Sequence, residues 1–115
     1  RIMGYRSDVV IAVHKQVLAM DLINPVIPEI LKQQEFTDIE GTRYWHIDQW
    51  KWYSDYPEIR SIENMFSTLE KLAEENNLSL FGAIRLGEEF GDHEEWGDPY
   101  EYGIQLNQSI ERPMY

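Results

Sequence analysis

Hydrophobic residues in the segment Asp8-Val-Val-Ile-Ala-Val-His14 fall on both parities, the pattern of a strand covered on both faces. From residue 15 the period changes. Val17, Leu18 and Leu22 share one side of a helix expected over 15–23. Pro25 and Pro28 interrupt it, so the pattern predicts a break after Asn24 and a second short helix from near Pro25 to about Gln33. Residues 36–39, the turn Glu40-Gly41-Thr42 and residues 43–48 read as a hairpin. Along its second arm Tyr44 and His46 share one face, and Trp45 and Ile47 the other. Trp50, Trp52 and Tyr53 extend the aromatic run.

The clearest helix begins at Asp55-Tyr56-Pro57-Glu58. Pro57 suits the first turn, Asp55 is a candidate N-cap, and Glu58 favours the positive end of the helix dipole. Ile59, Ile62, Phe66, Leu69 and Leu72 form a stripe facing a core. Glu63, Glu70, Glu74 and Glu75 fall largely outside it, and Asn76-Asn77 ends the helix. Residues 78–86 alternate as a strand in which Gly82 marks a bulge or a close backbone approach. An acidic connector, 87–99, leads to a last strand over 100–109 with Tyr100, Tyr102, Ile104 and Leu106 on one face. The expected class is α+β: a twisted, mostly antiparallel sheet of four to five strands with two main helices packed on one face. Met3 reads as the native start, which places a single domain over 3–115.

Composition adds two constraints. The absence of cysteine excludes disulfides, thiolate nucleophiles and sulfur-based zinc sites, and with no membrane-spanning run or secretory leader it leads us to expect a cytoplasmic protein. Net charge is −11, unevenly placed: residues 1–57 carry 8 acids and 6 bases, residues 58–115 carry 13 acids and 4 bases. Such a surface repels nucleic-acid phosphates and anionic lipid, and attracts a basic protein surface.

Six of the eleven residues from 88 to 98 are acids. Glu88, Asp92, Glu94 and Asp98 offer oxygen ligands to a hard cation, but without the spacing of an EF-hand loop, and nothing fixes a glycosidase-like carboxylate pair. The plainer reading is a solvated connection whose charge protects a sheet edge. Phe90 and Trp96 within it either tuck back onto the sheet or stand out as interface anchors. His14, His46 and His93 lie far apart in sequence, and Ser7, Ser54 and Ser109 lack a nucleophile-elbow context. Gly82, Gly87 and Gly91 fit no phosphate-binding loop. The aromatic belt Tyr44, Trp45, Trp50, Trp52, Tyr53 and Tyr56 is accompanied only by Arg43, Lys51 and Arg60, which favours a core and sheet-surface role over base stacking.

Three segments, Met3-Gly-Tyr-Arg-Ser-Asp-Val9, Trp50-Lys-Trp-Tyr-Ser-Asp-Tyr-Pro-Glu58 and Ile84-Arg-Leu-Gly-Glu-Glu-Phe-Gly-Asp92, resemble a group of small phage and prophage proteins. That group has no settled activity, so the resemblance implies a phage origin and carries over no catalytic residue. The leading expectation is a non-enzymatic inhibitor, without cofactor or metal, of a host defence complex of anti-CRISPR or anti-restriction type. It would act in the host cytoplasm as a monomer or homodimer. Its partner would be a host protein with a basic nucleic-acid-binding surface, not nucleic acid or membrane. The expected partner-binding residues are Glu88, Glu89, Asp92, Glu94, Glu95, Trp96 and Asp98 with Glu70 and Glu74 of the long helix. Two alternatives stand beside it: a virion or replication accessory protein, and a small metal-dependent hydrolase using the 88–98 carboxylates.

Overall fold

The structure, a computed structural model, describes residues 5–89, 91–106 and 110–111. Met3, Phe90, Ser109 and the side chain of Leu106, on which expectations were placed above, lie outside the described residues.

The doubly apolar segment is the centre of the sheet. Strand β1 (Ser7–His14) pairs antiparallel with β3 (Thr42–Trp50) on one side and β4 (Phe81–Leu86) on the other. Val9, Ile11 and Val13 join one core cluster and Val10 and Ala12 a second, all with no exposed surface. A strand that buries both faces needs apolar side chains at every position, which is why the run does not alternate. Strands β2 (Thr37–Ile39) and β5 (His93–Gly97) flank the pair, giving five antiparallel strands in the order β2-β3-β1-β4-β5. Glu40 and Gly41 both have positive φ, 48° and 82°, as a two-residue hairpin turn with the sheet's twist requires.

One long helix covers the first face: α3 (Pro57–Asn76), which buries Ile59, Ile62, Met65, Phe66 and Leu69. Leu72 is only half-buried, and Tyr56 takes the N-cap position expected for Asp55. Asn77 closes the helix with φ 52°, a left-handed conformation that asparagine tolerates. The region 15–33 departs from expectation. It holds two four-residue helices, α1 (Lys15–Leu18) and α2 (Glu29–Lys32), joined through a 3-10 turn at Asn24–Val26. The Asn24 side-chain amide donates to the Leu18 carbonyl at 3.4 Å, an acceptor at the end of the first helix. Pro25 and Pro28 supply no backbone N–H to carry a helix through the segment beyond it. The fold therefore has one main helix where two were expected, and Ile23 is buried there while Leu22 is 58% exposed.

The opposite face carries the smaller cluster of Val10, Ala12, Tyr44, Ile84, Tyr102 and Ile104. A 3-10 turn at Pro99–Tyr102 lies over it, and the Tyr44 hydroxyl donates to the Tyr102 carbonyl at 2.7 Å. The continuous strand expected over 100–109 is replaced by this turn and by β6 (Gln105–Leu106), which pairs with β7 (Ile110–Glu111) in a separate two-stranded sheet. Tyr100, expected on one face with Tyr102 and Ile104, is 56% exposed while those two are buried. Gly82 is the point of close approach: a Cβ there would lie 2.7 Å from the Asp98 carbonyl carbon and closer still to the Pro99 backbone.

Gly82→Ala should therefore cost about 2 kcal/mol of stability in urea denaturation, because only backbone movement can relieve the overlap. A loss below about 0.5 kcal/mol would mean that the 98–102 turn is not held against β4.

Candidate functional site

The acidic connector is not a free loop. Residues 93–97 form edge strand β5, and the turn before it folds around Arg85. Arg85 stands on the face that bears α3, two positions beyond Ala83, and is 8% exposed. A guanidinium at that depth needs acceptors. Its Nε donates to Glu94 Oε1 at 2.8 Å, Nη2 to Asp92 Oδ1 at 2.7 Å, and Nη1 to Ser7 Oγ at 2.9 Å. Burial alone would lower the Arg85 pKa, and the hydrogen bonds from Asp92 and Glu94 more than reverse this. Asp92 is held below the usual carboxylate range, first by Arg85 and then by the Tyr5 hydroxyl, which donates to it. Gly87 leaves the space for that pair, since a Cβ there would overlap both the Asp92 carboxylate and the Tyr5 hydroxyl. The Arg6 backbone N–H donates to the Glu88 carboxylate, and the Glu89 backbone N–H to Tyr5 Oη at 3.1 Å. Glu63, expected to face water, is half-buried; burial and then the Glu94 charge raise its pKa, with Arg85 opposing.

A different set of carboxylates is left outside this network. Between the C-terminal half of α3 and β4–β5 lies an open groove of about 540 Å³ lined by Glu70, Glu74, Leu78 and Asp98. Asp98 also lines a second groove of about 490 Å³ with Glu95, Tyr100 and Glu101. Tyr100 and Glu101 in turn line a third, about 440 Å³, with His14, Glu40 and Tyr102. The shared residues make the three neighbours, an acidic tract whose linings together hold six carboxylates and no Lys or Arg. Glu95 accepts the Tyr100 hydroxyl at 2.8 Å, which raises the tyrosine pKa. Among the described residues no Lys or Arg pairs with any of the six.

No protein-family model, curated protein or solved structure matches the chain.

The structure divides the expected partner-binding residues. Glu70, Glu74, Glu95 and Asp98 meet in the tract, whereas Asp92 and Glu94 are committed to Arg85 and Glu88 to the Arg6 backbone. Trp96 is turned inward, its ring 4.9 Å from Phe66 and 5.8 Å from Trp52, so it serves the core and is no surface anchor. Sequence reasoning missed Arg85 and, in the tract, Glu40, Tyr100 and Glu101. For Arg85 a signal existed: a lone cation inside the apolar run of β4, followed by carboxylates seven and nine residues on. His14 packs edge-on against Tyr102, His46 meets Asp48 at 3.0 Å and His93 meets Glu95 at 3.4 Å. Among the described residues no group of three or more His, Asp or Glu is placed to hold a metal ion, and no helix is long and apolar enough to cross a membrane.

Arg85→Met should destabilise the fold by about 2 kcal/mol at neutral pH, less than a fully buried pair because its partners are part-exposed. The pH dependence has a definite sign. Asp92 has a depressed folded pKa, so its contribution is complete above the ordinary carboxylate range near ~4 and is lost as pH falls through the folded value. Glu63, with a raised pKa, opposes this on acidification. Thermal melts at about pH 7 and about pH 3 should show a smaller acid loss in Asp92→Asn than in the wild type. An equal loss would place the acid-sensitive contact elsewhere.

Proposed function

We propose that this chain is a non-catalytic binding domain whose acidic tract engages the basic, nucleic-acid-binding surface of a host protein, as an anti-CRISPR or anti-restriction inhibitor acting in the host cytoplasm would. The observation that carries the reading is the tract itself: Glu40, Glu70, Glu74, Glu95, Asp98 and Glu101 line connected grooves without a lining Lys or Arg. Carboxylates without a Lys or Arg neighbour on a folded surface stay open to the Arg and Lys side chains of a partner. A groove evolved to grip phosphates offers such side chains in a row. The acids on Arg85 are unsuited to this role, since withdrawing them would leave a buried cation unpaired. Leu78 and Tyr100, 59% and 56% exposed beside those carboxylates, add apolar contact at which a partner could be anchored.

The test is capture from a bacterial host lysate with wild-type protein, with the triple variant Glu70→Gln, Glu74→Gln, Asp98→Asn, and with Glu88→Gln, Glu89→Gln as control. The reading expects a nucleic-acid-binding protein retained by the wild type and control, released by duplex DNA or by about 0.5 M salt, and lost in the triple variant. Retention by the triple variant, or a partner indifferent to DNA, would contradict it.

A further inference from the structure

A fourth groove has the reverse character. A groove of about 390 Å³ opens between the α1–α2 segment and β3, with Leu18, Ile27, Leu31 and Trp45 among its apolar lining. That volume is within the range of small-molecule sites. Its charged lining residues are Lys15, Lys32 and Arg43, and no carboxylate lines it. In a chain of net charge −11 with only ten Lys and Arg, three cations around one apolar recess are a marked local reversal.

Two of the three cations are held in place. Asp38, behind the groove, takes Arg43 through Nε at 2.9 Å and Nη2 at 3.1 Å, and Lys15 at 3.4 Å, so its own pKa is lowered, chiefly by Arg43. The guanidinium lies 3.8 Å over the Phe36 ring, which also lines the groove and is 49% exposed. Nη1 of Arg43 donates to no described residue, and Lys32 has only Glu29 at 3.9 Å. Counting Asp38 and Glu29 against the three cations leaves the site at about +1, with one guanidinium edge unbonded. The recess floor is preformed as well: the Trp45 indole N–H donates to the Leu31 carbonyl at 3.1 Å, fixing the ring between β3 and α2.

We propose that this recess binds a small amphipathic carboxylate, an acyl or aryl body seated on Leu18, Leu31 and Trp45 with its head group at Arg43 and Lys32. Charge complementarity selects the head, because the unbonded edge of a guanidinium favours a carboxylate over a neutral hydroxyl. The apolar lining selects the body. The inference is independent of the acidic tract, which shares no lining residue with this groove.

Decanoate and decanol are the probes, read by the indole N–H resonance of Trp45 in ¹⁵N-labelled protein. Decanoate should shift that resonance saturably at 1:1 stoichiometry, and decanol should bind roughly tenfold more weakly. Lys32→Gln and Arg43→Gln should each weaken decanoate several-fold while leaving decanol unchanged, with the amide fingerprint reporting that the fold persists. Ala19→Phe, at the exposed side of the recess, should block both ligands. Glu70→Gln should change neither, which separates this site from the tract. No shift up to the solubility limit, equal binding of decanol and decanoate, or decanoate binding insensitive to both charge variants would each overturn the proposal.

Discussion

A guanidinium can sit under a helix in so acidic a chain only if carboxylates follow it into the fold. Arg85 is 8% exposed, and Asp92 and Glu94 reach it from the β4–β5 hairpin while Ser7 reaches it from the first residue of β1. This contact ties the start of the central strand to the edge of the sheet and fixes the path of the acidic turn. Removing either carboxylate would leave a buried charge short of acceptors, so those side chains serve the fold before anything else. Arg85 thereby sorts the acids of the C-terminal half into a structural set and a set left at the surface.

The surface set shapes the electrostatics. Glu70 and Glu74 project from the last turns of α3, while Asp98 precedes and Glu101 lies within the turn that Gly82 draws against the sheet. Two unrelated packing requirements, a helix ending at Asn77 and a backbone seated on a glycine, thus bring acids from separate segments onto connected grooves. Elsewhere Asp38 gathers Lys15 and Arg43 beside the Trp45 recess. The grooves thus differ in the sign of their lining charge, acidic in the tract and basic in the recess.

Much of the scaffold was legible in the sequence. The doubly apolar run 8–14 marked the central strand and the stripe from Ile59 marked α3, because burial on one or two faces writes directly into the spacing of apolar residues. Gly82 left a bulge and a close approach open, of which the structure shows the second. The region 15–33 was read less well, since two prolines and the Asn24 side chain compete locally with helix and leave four-residue segments. The last segment was misread because Tyr100, Tyr102 and Ile104 alternate like a strand, whereas contact with Gly82 sets a 3-10 turn there. Charge was the hardest to read. A run of acids in sequence does not say which carboxylate a distant arginine will claim. Glu40 entered the tract from a turn far away in the chain, and Glu101 through the 3-10 turn that replaced the expected strand.

On the proposed function, the tract carboxylates without a Lys or Arg neighbour, and not those on Arg85, meet a cationic partner. A hexa-arginine peptide titrated at low salt into ¹⁵N-labelled protein distinguishes the two sets. Saturable amide shifts are expected at Glu70, Glu74, Asp98 and Glu101, with Asp92 and Glu94 undisturbed. Shifts centred on Asp92 and Glu94, or spread evenly over the exposed acids, would contradict that reading.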